Sequence, residues 1–220
     1  MGYGIKIRVS GDYALFTRPE MKVERVSYDI ITPSAARGII EAVYWKPAIR
    51  WVIDKIHVLK EIEFTNIRRN EVSEKASESE ARRRMNGTTT EPMYLSAVDN
   101  RQQRAALVLK NVEYVIEAHF DMTDKAGEED TREKHYNIAL RRFRKGQQFH
   151  APCLGAREFG AKVELIEDGE PIPQSPLEDM ELGWMLKDLD FSDPADIKPE
   201  FFRASLKNGV LDLRNMEVRQ

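Results

Sequence analysis

Residues 103–121 read QRAALVLKNVEYVIEAHFD. Two apolar runs, 103–109 and 112–121, stand on either side of Lys110-Asn111. The second run alternates, which puts Val112, Tyr114, Ile116, Ala118 and Phe120 on one face and His119 on the other. Both runs are predicted strands, and Lys110-Asn111 is the predicted turn of a hairpin.

Working outward, residues 4–10 (GIKIRVS) alternate Ile5, Ile7 and Val9 with Lys6, Arg8 and Ser10, the pattern of a half-buried strand. Residues 11–31 read as loop or short extended pieces, broken by Pro19. A helix is predicted to start at Thr32-Pro33-Ser34, with Thr32 as N-cap and Pro33 in the first turn. Its apolar stripe is Ala36, Ile39, Ile40 and Val43, and Pro47 closes it. Residues 51–59 and 61–69 read as two more strands, and 71–92 as a long polar loop or insertion. A second helix is predicted over 128–146 on the stripe Tyr136, Ala139, Leu140 and Phe143. After the loop 147–160 (QQFHAPCLGAREFG), residues 161–166 form another strand.

With the hairpin set aside, the order is βαββαβ, the ferredoxin-like (RRM-like) pattern of RNA-recognition modules. The predicted class is α+β: a domain over 1–166 carrying an inserted hairpin, then a small C-terminal antiparallel β subdomain over 167–220. In the latter, Asn208-Gly209 within LKNGVLDLRNMEV is a strong hairpin signal.

Apolar residues make up 41% of the 220 and charged residues 32%, enough for a core under a charged surface, so wholesale disorder is excluded. A single cysteine, Cys153, excludes an internal disulfide framework and a multi-cysteine metal site. The four histidines (57, 119, 135, 150) form no HExxH or HxH pair, so neither a metal nor a cofactor is expected. No apolar run approaches the roughly 20 residues of a membrane span. The N-terminal residues alternate instead of forming a signal-peptide block, and the chain reads as cytoplasmic.

The net charge of −3 conceals an asymmetry. Residues 131–146 carry six basic side chains against Glu133, a net of +5, whereas 167–200 carry eleven acids against Lys187 and Lys198, a net of −9. Further basic clusters are Arg68-Arg69, Arg82-Arg83-Arg84, and Arg101 with Arg104. Each cluster alone is an ordinary solvated face, but several arginine-rich clusters in one domain point to a polyanion.

RNA carries its own nucleophile, the 2′-OH. Cutting it that way requires a group to take the 2′-OH proton, a cation for the phosphorane-like transition state and a donor for the 5′ oxygen. Lys134-His135, inside the basic segment, can flank a phosphate from two sides; read alone, the pair is also an ordinary exposed helical turn. Tyr44, four residues after Ile40, reads locally as a packed aromatic with its hydroxyl at the rim. His57 and His119 read as structural strand histidines, and His150, in a loop, is a weaker acid–base candidate.

Several blocks are specific. They are GDYALFTRPEMKVERVSYDIITPSAARGIIEAVYWKPAIRW (11–51), IRRNEV (67–72), NRQQRAALVLKNVEYVIEAHF (100–120), KHYNI (134–138) and PCLGAREF (152–159). Together they resemble the subtype I-C CRISPR-associated proteins that process precursor crRNA, within the RAMP superfamily. The resemblance covers most of 4–166 and weakens after about 170. It implies a ferredoxin-like domain with a small C-terminal sheet. It also implies a metal-independent endoribonuclease that cuts each CRISPR repeat to leave a 2′,3′-cyclic phosphate and a 5′-hydroxyl. Such a protein would then stay on the crRNA 5′ handle beside the other Cascade subunits. The family's catalytic tyrosine falls on Tyr44 of the YWKP block, and its lysine and histidine on Lys134 and His135. On the same reading, Arg37, Lys46, Arg68, Arg69, Arg141, Arg142 and Lys145 are placed against RNA. An Arg37–Glu41 ion pair is the plainer account of Arg37. The stretch 71–92 is longer than in compact family members, and Gly155 admits a close backbone approach or a turn. The alternative to an enzyme is a non-catalytic subunit that grips the crRNA handle. The spacing does not divide the acid and base roles.

Overall fold

The computed structural model describes residues 3–21, 23–193, 195–214 and 216. The elements in chain order are β1 (Gly4–Ala14), β2 (Arg25–Val26), α1 (Pro33–Val43), β3 (Ile49–Val58), β4 (Phe64–Val72) and α2 (Glu78–Met85). There follow β5 (Arg101–Met122), α3 (Arg132–Arg144), β6 (Lys162–Ile166), β7 (Met180–Asp190), β8 (Lys198–Leu206) and β9 (Val210–Asp212). The molecule is a mixed α/β structure with a mostly antiparallel sheet and few helices.

The 103–121 stretch does not turn back. It lies inside one 22-residue strand, β5, the spine of the sheet. Along the C-terminal half of β5, β1 pairs on one edge (Ile7↔Ile116) and β3 on the other (Ile56↔Ile116). Along its N-terminal half, β4 takes the β3 edge (Phe64↔Leu109) and β2 takes the β1 edge, in parallel. The main path is β6-β1-β5-β3-β9.

The reason lies in one dihedral. Asn111 has φ 51°, but Lys110 does not join it in the left-handed region. A two-residue hairpin turn of type I′ needs positive φ at both positions, whereas a single left-handed residue only rotates the strand. C-terminal to Asn111 the even positions 112–120 face the main core. N-terminal to it the odd Leu109 does so, while Ala106 and Val108 pack with Leu15 in a separate cluster. At Asn208-Gly209 both residues are left-handed (48° and 70°), and there the chain does reverse, with Lys207 bridging Val210. The last part of the predicted short strands, residues 215 and 217–218, lies outside the described residues.

The start of α1 follows the sequence, and that of α3 comes later than the expected 128. Thr32 caps α1, its hydroxyl accepting from the Ala35 N–H at 3.3 Å, with Pro33 in the first turn. Thr131 caps α3 by accepting from the Lys134 N–H at 3.2 Å, three residues later than 128. Ala36, Ile39, Ile40 and Val43 of α1 and Ala139 and Phe143 of α3 pack with Ile5, Ile7, Trp51 and Phe120 of the sheet in one core. Each fully buried aliphatic such as Ile40 contributes roughly 1.5–3 kcal/mol through removal from water. The polar stretch 71–92 is not all loop: β4 runs to Val72, and Ser77 caps α2. The insertion is therefore β4, α2 and the N-terminal half of β5.

The C-terminal segment forms a β7–β8 ribbon, and β9 joins β3. Met185, Phe202, Ala204, Leu206 and Leu211 enter the same core as the N-terminal residues. The Arg37 guanidinium clasps Asp188 of β7 with two N–H groups, and the Tyr28 hydroxyl accepts from the Leu186 N–H at 3.2 Å. Gly155, at φ 85°, lies so close to the backbone of Leu15 that a Cβ would meet its carbonyl oxygen at 2.0 Å. The close approach it permits is to the chain itself.

Candidate active site

Tyr44 is the C-cap of α1, with extended backbone and its N–H donating to the Ile40 carbonyl. The indole N–H of Trp51 donates to the Tyr44 carbonyl at 2.8 Å. These two bonds fix the point where the chain leaves α1 and aim the phenol at the first turn of α3. His135 lies one residue C-terminal to Lys134, on the inner face of that turn. The Tyr44 hydroxyl and His135 Nδ1 are 2.7 Å apart, and the Phe120 ring meets the imidazole edge-on at 6.5 Å between centroids.

The other ring nitrogen, Nε2, lies 3.1 Å from Asp130 Oδ1. An ionised carboxylate only accepts, so Nε2 carries the proton; in the neutral imidazole Nδ1 then accepts from the phenol. The same Asp130 oxygen lies 3.6 Å from the Lys134 ammonium, which also donates to the Glu129 carbonyl at 3.1 Å. Tyr44, His135, Asp130 and Lys134 thus form one connected row. Asp130 is the member that sequence reading missed, although its place just before a Thr N-cap and five residues before the histidine was a usable signal.

Electrostatics sort the row. Burial, above all, raises the Tyr44 phenol above its ordinary value, so at neutral pH it is a hydroxyl and not an anionic base. The Gly127 N–H, with help from Lys134 and His135, holds the Asp130 carboxyl below its usual range, so it is an anion there. Tyr44 and His135 are each only 2% exposed, whereas the Lys134 side chain is 44% exposed. Lys134 is the member of the three that faces solvent.

Beside the row lies a cavity of about 540 Å³, lined by Glu41, Tyr44, Trp45, Lys46, Pro47, Ile138, Arg141, Arg142 and Phe149. Lys46 and Arg141 are exposed at it. Arg142 donates to the Val43 carbonyl at 2.6 Å and stands 5.8 Å over the Tyr44 ring. Lys145 is exposed as the C-cap of α3. The remaining candidates lie elsewhere. Arg37 is engaged with Asp188 and, at 3.5 Å, Glu41. On β4, Arg68 is exposed while Arg69 pairs with Glu158. Among the other histidines, His57 bonds Glu117 at 2.6 Å and His119 bonds Asp54 at 2.9 Å, in keeping with structural roles. His150 is exposed.

The fold itself is shared with solved CRISPR-associated structures. One, described as a CRISPR-associated protein, superposes with a TM-score of 0.69 at 23% identity, covering 100% of this chain and 97% of its own. A chain of a CRISPR RNA-guided surveillance complex superposes at 0.54 with 10% identity, covering 98% and 89%. The likeness is one of fold, a mixed α/β architecture shared over nearly the whole chain.

The family follows from sequence. A family model described as CRISPR-associated protein (Cas_Cas5), Cas_Cas5d, matches residues 4–214, well past the point near 170 where the sequence resemblance weakens. A protein of Mannheimia succiniciproducens named CRISPR pre-crRNA endoribonuclease Cas5d is 55% identical over 217 residues, covering 97% of this chain and 96% of its own. One of Thermus thermophilus with the same name is 39% identical over 226 residues, covering 95% and 90%. The chain belongs to the Cas5d family. Among the described residues, no helix is long and apolar enough to cross a membrane.

Proposed function

We propose that this chain is an endoribonuclease that cuts CRISPR repeat RNA to produce crRNA and then stays on the 5′ handle as a Cascade subunit. The observation that carries this reading is the 55% identity, over nearly the whole of both chains, to a protein named for that activity. The row Tyr44–His135–Asp130–Lys134 supports it with suitable chemistry. We also read β6-β1-β5-β3 as a ferredoxin-like unit; numbered by their order within it, the four strands run 4-1-3-2. The β7–β8 ribbon and β9 complete that unit, sharing its core and tied to α1 by the Arg37–Asp188 pair.

In the proposed reaction the 2′ oxygen attacks the adjacent phosphorus as its proton passes to a base. The P–O5′ bond breaks, O5′ takes a proton, and the products are a 2′,3′-cyclic phosphate and a 5′-hydroxyl. Lys134, the exposed cation, meets the charged phosphate. His135 exchanges the proton, with its tautomer held by Asp130, and Tyr44 positions the imidazole and the 2′-OH. The imidazole is 2% exposed, so this role requires the first turn of α3 to open when RNA binds. Repeat RNA cut in EDTA, but not when a 2′-deoxy sugar precedes the cut, is the expected result. Cleavage of the deoxy substrate would remove the mechanism.

The burial of Tyr44 and His135, with hydrogen bonds satisfied, favours a second reading: a handle-binding subunit that does not cut. It requires tight repeat binding without cleavage products.

A further inference from the structure

Trp45 is 53% exposed and Phe149 84% exposed, yet both line the cavity beside Tyr44. Large aromatic rings left in water at a concave site are poised for something else to cover them. Phe149 is not on an idle loop. Its backbone N–H donates to the Ala42 carbonyl at 2.8 Å, tying residue 149 to the last turn of α1. The cavity, about 540 Å³, lies within the ~300–1,000 Å³ range of small-molecule sites. Its charged lining is basic (Lys46, Arg141, Arg142) except for Glu41. Aromatic faces with a cationic rim are the arrangement that holds single-stranded nucleic acid: bases stack and phosphates pair.

The position adds a second argument. Lys134, Ile138 and Arg141 are spaced i, i+4, i+7 and so share one face of α3. Ile138 and Arg141 line the cavity, and Lys134 stands one turn before Ile138, about 6 Å along the helix axis, and two turns before Arg141. A nucleotide seated in the cavity has its backbone within reach of that ammonium.

We infer that this cavity is a nucleobase pocket, in which an unpaired base next to the scissile linkage stacks on Trp45 and Phe149 while Lys46 and Arg141 hold its flanking phosphates. The inference rests on the proposed function for its choice of RNA. Glu41 offers an acceptor for an exocyclic amine of the base.

The test uses the full chain and repeat RNA, with each unpaired nucleotide near the cut replaced in turn by a ribo-abasic residue. Dissociation constants are measured on RNA made uncuttable by a 2′-deoxy sugar before the cut, with cleavage followed separately on all-ribo RNA, for wild type, Trp45→Leu and Phe149→Leu, with Phe149→Tyr as the rescue variant. At one position, loss of the base should weaken wild-type binding about tenfold. The same loss should cost the leucine variants less than about twofold, and Phe149→Tyr should recover the wild-type penalty. Penalties that stay the same in all four proteins at every position overturn the inference. So does a leucine variant that binds every RNA normally but loses a partner protein, because the rings would then be a protein-docking site. The readout is binding, so the pocket and the cutting can fail separately. Coupling without cleavage retains the pocket and removes the nuclease; cleavage without coupling does the reverse.

Discussion

The hydroxyl of Tyr44 and Nδ1 of His135 lie 2.7 Å apart across a gap of 91 residues in sequence, and neither group is open to solvent. Their contact joins the C-terminus of α1 to the N-terminus of α3. Whatever chemistry His135 performs is therefore set by the end of another helix as well as by its own.

Tyr44→Phe keeps the ring and removes the donor, leaving a buried nitrogen without its partner. Thermal denaturation should show a loss of about 1–3 kcal/mol. Single-turnover cleavage should fall by about 10²–10⁴. An unchanged melting temperature would show that the hydrogen bond is not formed in solution.

Asp130→Asn presents an amide to Nε2. If its N–H side turns inward, the imidazole must accept there and carry its proton on Nδ1, the wrong tautomer for a phenol donor. Cleavage should drop by at least about 100-fold, while RNA affinity changes little. Nitrogen NMR of the labelled histidine ring reports the tautomer directly; an Nε2-protonated ring in the variant would contradict the assignment.

Lys134→Ala should separate catalysis from folding and binding. The side chain is exposed, so stability should change by less than about 0.5 kcal/mol. Cutting should be abolished and most RNA affinity retained. If binding falls in step with cleavage, Lys134 is a grip on the RNA and not a stabiliser of the transition state.

Burial, the leading cause in each case, raises the phenols of Tyr28, Tyr44 and Tyr114 above their ordinary value. The unfolded chain then loses these protons at lower pH than the native one. The stabilisation is complete below about pH 10 and is lost as pH climbs through the raised native values. Denaturant midpoints measured from pH 8 to pH 12 should be level at first and then decline; a rise on the alkaline side would reverse the sign.

Arg37→Ala breaks the paired N–H clasp on Asp188, which joins α1 to β7. The expected cost is about 2 kcal/mol, with faster hydrogen exchange concentrated in 180–206. Asp188→Ala should match it, and the double variant should add little. Full additivity would mean that the two residues do not act as a pair.

Local rules carried much of this molecule. Thr32-Pro33 sets a helix start because a cap needs only its own next three residues. Alternation placed Tyr114, Ile116, Ala118 and Phe120 on one buried face, since the side-chain period of a strand is a property of the chain alone. Asn208-Gly209 announced a reversal, as two residues that tolerate positive φ do when adjacent. The blocks YWKP and KHY supplied Tyr44, Lys134 and His135 as candidates.

Tertiary structure decided what spacing could not. Lys110-Asn111 looks like a turn in sequence, but β1 and β3 pair with the residues that follow while β2 and β4 pair with those that precede it. One long strand satisfies more backbone groups than a hairpin would. Tyr44 met His135, and Trp45 and Phe149 came to one cavity, only because α1 and α3 pack side by side. The sequence by itself determined which residues cap, alternate and turn, and which side chains have suitable chemistry, because those depend on near neighbours. Which strand runs on, which arginine pairs with Asp188 and which phenol meets His135 were decided by the fold, because each joins groups whose separation is set by the closing of the whole chain.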